Sequence, residues 1–142
     1  MTMVSSETLH ASCVAIDGRA VLIEGRSGSG KSDLALRLID RGAKLVSDDY
    51  TVLVRERDRL LAQPPATIAG RIEVRGIGIV EMPHSERVPV ALVVCLADTI
   101  DRMPEEGNTR SIAGIAVPSI ALNGHEASAP VKVGLALARV AG

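Results

Sequence analysis

The sequence predicts a mixed α/β sheet and not a regular ladder of alternating strands and helices. Three observations carry this. Most apolar runs are short and bounded by turn dipeptides, the pattern of strands joined as hairpins. Helical spacing is confined to two stretches, residues 31–41 and 128–141. Residues 88–96 form a continuous apolar run, as expected of a central strand buried on both faces. A chain of 142 residues with 46% hydrophobic content is read as one folded domain over residues 1–142.

The elements follow in order. Residues 9–16 read as one strand. Asp17-Gly18 is a two-residue hairpin signal, because both turn positions want positive φ and these residues tolerate it. Residues 20–24 return as the partner strand and run into a Gly-rich stretch. In residues 31–41, Leu34, Ala35, Leu38 and Ile39 fall on one helical face, and Gly42 follows as the stop. Residues 44–46 make a short strand ending at Ser47-Asp48-Asp49. Residues 51–55 and 60–63 read as a second hairpin around the charged turn 56–59, ended by Pro64-Pro65. In residues 71–80, Gly76 and Gly78 mark a bend or a close backbone approach. Residues 98–108 are polar, a loop or short helix. Residues 111–117 read as a strand stopped by Pro118. Residues 128–141 close the chain as a helix, with Ser128 as N-cap and Pro130 in its first turn.

Composition excludes several function classes. Sixteen basic side chains against 17 acidic ones give a net charge of −1, which argues against a global electrostatic footprint for nucleic acid or a membrane surface. One Tyr, no Phe and no Trp leave no aromatic platform for stacking bases. Cys13 and Cys95 have neither disulfide-framework nor zinc spacing and sit in apolar runs, so each reads as a small buried hydrophobe. The N-terminal residues 1–7 lack an apolar signal core, and no apolar run reaches the ~18 residues of a membrane span. A cytoplasmic location is expected.

The strongest chemical signal is Gly25-Arg26-Ser27-Gly28-Ser29-Gly30-Lys31-Ser32, which matches G-x-x-x-x-G-K-[ST] at every fixed position. An apolar strand precedes it and an amphipathic helix follows. Glycines let the backbone wrap phosphates with N–H groups pointing inward, and the helix N-terminus adds partial positive charge. Lys31 is placed to reach the β- and γ-phosphates, and the Ser32 hydroxyl to ligate Mg²⁺. The second signal is Asp48-Asp49 at the end of an apolar strand, where ligands collect in open α/β sheets. Two adjacent carboxylates there can hold a metal or take a proton from a hydroxyl. If the Asp17-Gly18 hairpin pairs tightly, His10 lies opposite the start of the Gly-rich loop, able to touch a phosphate or orient a carboxylate. A partly buried structural role fits His10 equally well. His84 and His125 read as surface residues. Glu73 and Arg75 alternate with Ile72 and Val74 and so share one strand face, for which a salt-bridged solvent face is an equal reading. Nothing in its spacing marks Arg102.

Together these positions resemble the catalytic domain of HPr kinase/phosphorylase, from about residue 9 to residue 122. That family has Leu-His at the start of a hairpin, a G-x-S-G-x-G-K-S loop, a Leu-Val-x-Asp-Asp strand end and an I-E-V-R-G-[IL]-G-I signature. Here these are Leu9-His10, residues 25–32, residues 45–49 and residues 72–79. The resemblance implies a fold like the phosphoenolpyruvate-carboxykinase-type nucleotide-binding domain, its phosphate loop embedded in a mixed sheet. It implies ATP- and Mg²⁺-dependent phosphorylation of a serine on HPr or a related phosphocarrier. Asp49 matches the family's catalytic acid/base, with Asp48 as its neighbour. Lys31 and His10 match positions around the transferred phosphate, Ser32 and Glu73 match magnesium ligands, and Arg102 matches a catalytic arginine. A homo-oligomer is compatible with the resemblance.

The departures are specific. Longer family members carry an N-terminal domain of over a hundred residues, whereas this sequence starts at the catalytic core. They also carry a Pro-Val-Arg-Pro-Gly-Arg-type loop tied to dephosphorylation. The aligned stretch here, residues 116–121, lacks both arginines, so the kinase half is the better supported. Two other readings fit the Gly-rich loop alone. One is an ordinary P-loop small-metabolite kinase, which would show a more regular βαβ pattern and an Arg-rich lid. The other is a non-catalytic ATP-sensing module, against which stands the joint presence of His10, Lys31, Asp49, Glu73 and Arg102. A guanine-nucleotide switch is disfavoured because N-K-x-D is absent.

Overall fold

A computed structural model describes residues 5–140 of the chain. The strands are β1 (Ser5–Leu9), β2 (Ala11–Ile16), β3 (Arg19–Glu24), β4 (Lys44–Ser47), β5 (Thr51–Glu56), β6 (Arg59–Gln63), β7 (Arg71–Val74), β8 (Gly78–Glu81), β9 (Val88–Leu96), β10 (Thr109–Ile112) and β11 (Ile115–Leu122). The helices are α1 (Lys31–Asp40) and α2 (Ala129–Ala138), with one 3₁₀ turn at Ala66–Ile68. Nine strands form one mixed sheet in the order β1-β5-β6-β9-β3-β2-β4, to which β11 adds beside β9 and β10 beside β11. β9 runs parallel to β3 and β11, and the other pairings in that sheet are antiparallel. The expected mixed α/β architecture is therefore met.

The middle of the sheet is apolar on both faces because alternate residues of each strand point opposite ways. Val14, Val21, Ile23, Leu92 and Val94 face α1 and α2, where Leu34, Ala35, Leu38, Val133 and Leu137 cover them. Cys13, Leu22 and Val93 face the other way and meet Leu53, Leu60, Ile112 and Val117, since the outer strands curl over that face. With no Phe or Trp to fill space, branched aliphatics close both layers.

The Asp17-Gly18 turn forms as expected, with φ of 51° and 77° and Ile16 paired to Arg19. The stop after α1 is also as expected. Gly42 takes φ 109°, its N–H bonds to Ile39 O and that of Ala43 to Leu38 O, satisfying two terminal carbonyls. Three local expectations are corrected. Residues 9–16 are two strands, because the chain bends at His10 and β1 leaves to pair with β5. Residues 71–80 are a separate two-stranded hairpin, β7–β8, whose turn takes in Arg75 to Ile77, so Arg75 does not share a strand face with Glu73. Residues 98–108 form a loop with turns, one of the two alternatives expected. Pro118 does not stop a strand but lies within β11. It sits where β11 changes neighbour, pairing with β10 up to Pro118 and with β9 from Ser119, so a residue without N–H is tolerated there. Ser128 occupies the N-cap position of α2, but its hydroxyl turns to Glu126 and makes no cap bond. Cys13 is buried and Cys95 half-buried, both as free thiols.

Candidate active site

The Gly-rich loop leaves β3 at Glu24 and enters α1 at Lys31, as its flanking sequence requires. Gly30 takes φ 97°, and α1 has no side-chain cap at that end. Its first-turn N–H groups are therefore free of side-chain acceptors and suited to an anion. The Lys31 side chain is buried and folds back over the loop, with Nζ donating to Gly25 O at 2.9 Å and Arg26 O at 3.2 Å. These contacts hold a cation against the loop. The Ser29 hydroxyl is buried and has no hydrogen-bond partner among the described residues. A Cβ on Gly25 would meet that oxygen, so a side chain there would displace the Ser29 hydroxyl.

The two aspartates have separate environments. Asp48 is buried, and its carboxylate accepts three hydrogen bonds: from Ser12 Oγ (3.0 Å), Ser32 Oγ (2.5 Å) and the Glu73 N–H (3.0 Å). It thus ties β2, α1 and β7 together at the end of β4. Asp49 follows in the left-handed region, φ 67°, inside a tight turn closed by Tyr50 N–H to Asp48 O at 2.7 Å. Asp tolerates that region better than most residues. The Ser12 hydroxyl accepts the Asp49 N–H at 3.1 Å, so one buried serine contacts both aspartates. The Asp49 side chain is 57% exposed, and its Oδ1 lies 2.7 Å from His10 Nε2. The His10 ring stacks on Tyr50, centroids 5.0 Å apart.

A cleft of about 400 Å³ opens between the Gly-rich loop, the β4–β5 turn and the β7–β8 hairpin. His10, Lys31, Ser32, Asp49 and Glu73 all line it, as do Ser27, Gly28 and Gly30. Of the remaining expected residues, Gly25 and Arg26 contribute their carbonyls to Lys31 and lie outside the lining, and the Arg26 side chain is exposed beside Asp98 at 3.5 Å. Arg102 is not brought to the cleft. It is exposed in the turn-rich segment 98–108, where the adjacent Met103 is exposed as well, so nothing there packs the segment inward.

Three residues escape sequence reasoning. His125, expected at the surface, lines the cleft beside Gly30. Arg75 lines it from the hairpin turn. Ser12 is an internal strand residue whose role depends on the partner strand's register, and no spacing rule marks it. Among the described residues no group of three or more His, Cys, Asp or Glu is arranged to hold a metal by itself. Among the described residues, no helix is long and apolar enough to cross a membrane.

Comparison with known proteins agrees with this geometry. The family model described as HPr Serine kinase C-terminal domain matches residues 1–139. The HPr kinase/phosphorylase of Limosilactobacillus reuteri (strain DSM 20016) is 35% identical over 148 aligned positions, covering 93% of this chain and 43% of the relative. That of Lactobacillus acidophilus is 31% identical, covering 89% and 41%. The chain thus spans less than half the length of these curated relatives. The solved structure of the Hpr(Ser) kinase/phosphatase from Coxiella burnetii superposes with a TM-score of 0.80 at 33% identity, covering 93% of this chain and 88% of that one. The likeness extends over the loop, the aspartate turn and the β7–β8 hairpin together, so the chain belongs to the HPr serine kinase C-terminal domain family, with that family's phosphoenolpyruvate-carboxykinase-like fold.

Proposed function

We propose that this chain carries the catalytic site of an ATP-dependent protein-serine kinase that phosphorylates HPr or a related phosphocarrier. The observation that carries the reading is the division of labour between the two aspartates. Asp48 is buried and fully engaged with Ser32, while Asp49 is exposed to the cleft with one oxygen still free of His10.

The residues fit a magnesium–triphosphate complex. The loop N–H groups and the buried cation of Lys31 are donors, which suits an anion. Ser32 and Glu73 provide oxygens suited to Mg²⁺, which takes one or two protein ligands plus phosphate and water. Magnesium, when bound, neutralises charge on the phosphates. Asp48 orients the Ser32 hydroxyl from beneath. Lys31 neutralises the phosphoryl group in flight, the main requirement of this chemistry.

Asp49 is the base for the acceptor hydroxyl. The acceptor serine's Oγ forms the new O–P bond, the bond from the γ-phosphorus to the bridging oxygen breaks, and the hydroxyl proton passes to Asp49. His10 holds Oδ1, which fixes the carboxylate and leaves Oδ2 to receive the proton. The exposure of Asp49 at the cleft mouth suits a nucleophile delivered by another protein. Phosphorylase activity has less support. The stretch 116–121 runs within β11 and carries no arginine, so the residues aligned with the dephosphorylation loop give no cation to bind phosphate.

The experiment is direct. The protein is incubated with labelled ATP, Mg²⁺ and HPr, and the labelled residue is mapped by mass spectrometry. Label on a serine of HPr is expected. ATP binding without transfer to any phosphocarrier would replace this reading with an ATP-sensing module.

A further inference from the structure

We propose that His125 is a phosphate-contacting residue of the nucleotide site, a side-chain donor facing the Gly-rich loop from the opposite wall. This rests on the nucleotide reading above and extends it to a residue outside every motif that identifies the loop. The β11–α2 connection brings His125 over Gly30. A Cβ added to Gly30 would lie 3.3 Å from His125 Cε1 and 3.5 Å from Nδ1. The edge of the imidazole therefore sits against the residue that opens α1, beside the cleft that Lys31 and Ser32 line.

The connection is held in place from three sides. The Arg37 guanidinium, on α1 itself, donates to the carbonyls of both His125 neighbours, Glu126 O at 3.0 Å and Gly124 O. The His125 N–H donates to Asn123 Oδ1 at 3.0 Å, and Asn123 Nδ2 donates to Asp98 O at 3.4 Å. Gly124 packs so closely that a Cβ there would come within 2.9 Å of Leu96 Cδ1 and 3.0 Å of Ser29 O. The backbone is thus fastened to the helix that starts at the phosphate loop, while the imidazole itself remains exposed to the cleft. Arg37 also pairs with Asp33 at 3.0 Å, which draws that carboxylate toward its own guanidinium.

The chemistry follows from the ring. A neutral imidazole carries one N–H donor and a protonated one carries two. A donor fixed beside uncapped helix N–H groups meets the same anion they do. A preorganised donor contributes affinity at little ordering cost, because its backbone is already immobilised.

The test separates phosphate from base. Binding of Mg-ATP, inorganic pyrophosphate with Mg²⁺, and adenosine is measured by calorimetry for the wild type, His125→Ala and Lys31→Ala. His125 is exposed, so its replacement leaves the core intact, and an unchanged melting temperature without ligand checks this. For His125→Ala, Kd should rise about tenfold or more for both Mg-ATP and pyrophosphate, the scale of a lost hydrogen bond to a charged group. Adenosine binding should not change. Unaltered pyrophosphate affinity in His125→Ala, with Lys31→Ala having lost it, would overturn the phosphate contact. Weaker adenosine binding with unaltered pyrophosphate would overturn it in favour of base stacking. Pyrophosphate binding that survives in Lys31→Ala would overturn the nucleotide reading, and this inference with it.

Discussion

At the scale of single residues, Asp48 and Asp49 are neighbours with different tasks, and two substitutions distinguish them. Asp49→Asn removes the proposed base and should lower transfer to HPr by roughly 10²–10⁴ while leaving ATP binding near wild type. Single-turnover transfer and a separate binding titration check both halves. Asp48→Asn should not be the milder change that adjacency suggests. Its carboxylate accepts from Ser12, Ser32 and the Glu73 N–H, and an amide would turn a donor toward one of them. The expected cost is about 1–3 kcal/mol of stability, together with a raised Mg²⁺ requirement, read by thermal unfolding and by magnesium titration of activity. The thiols give a second check at this scale. Burial pushes the Cys13 thiol far up, and burial with the nearby Glu24 carboxylate raises that of Cys95. Both should resist iodoacetamide in the native protein at neutral pH and label only after unfolding, because the thiolate is the nucleophile. Rapid native labelling of Cys13 would contradict its burial.

Elements were legible wherever a local rule decides them. The Asp17-Gly18 turn, the face of α1 and the central β9 all follow from sequence because turn chemistry and periodicity are properties of adjacent residues. Two of the misreadings share one cause. The break at His10 and the continuity through Pro118 depend on which strand lies alongside, and a linear sequence does not contain that information. The site divides in the same way. The loop, Asp49 and Glu73 are carried by motifs, whereas Ser12 and His125 reach the cleft through long-range register and the path of the β11–α2 connection. Helix α1 gives the prediction at this scale. Leu34 is fully buried between the sheet and α2, so Leu34→Ala should destabilise by about 2–5 kcal/mol. Urea unfolding should show it as a lower midpoint with an unchanged m-value. Because α1 also carries Lys31 and Ser32, ATP affinity should weaken in the same variant.

For the whole molecule, the proposed nucleotide site is a joint product of sheet, helix and hairpin, so ligand binding should report on global stability. Mg-ATP in large excess over Kd should raise the melting temperature, the shift growing with the logarithm of concentration as mass action requires. Lys31→Ala should largely remove that shift, and withholding Mg²⁺ should reduce it. A melting temperature indifferent to millimolar Mg-ATP would refute nucleotide binding. The parallel pairing of β3 with β9 has a further consequence, for the order in which the chain assembles. Ala20 meets Val90, and Glu24, the last residue before the Gly-rich loop, meets Cys95. The β2–β3 hairpin can close within microseconds, but pairing with β9 requires a long closure of intervening chain whose entropy is lost before any contact compensates it. On a ribosome, the loop emerges early and waits for β9 before its anchoring strand has both neighbours. Adjacent residues of β3 point their N–H groups to opposite neighbours, so pulse-labelled hydrogen exchange during refolding should protect the Ile23 amide with the β2–β3 hairpin and the Leu22 amide only when β9 pairs, and this later phase should coincide with the recovery of ATP binding.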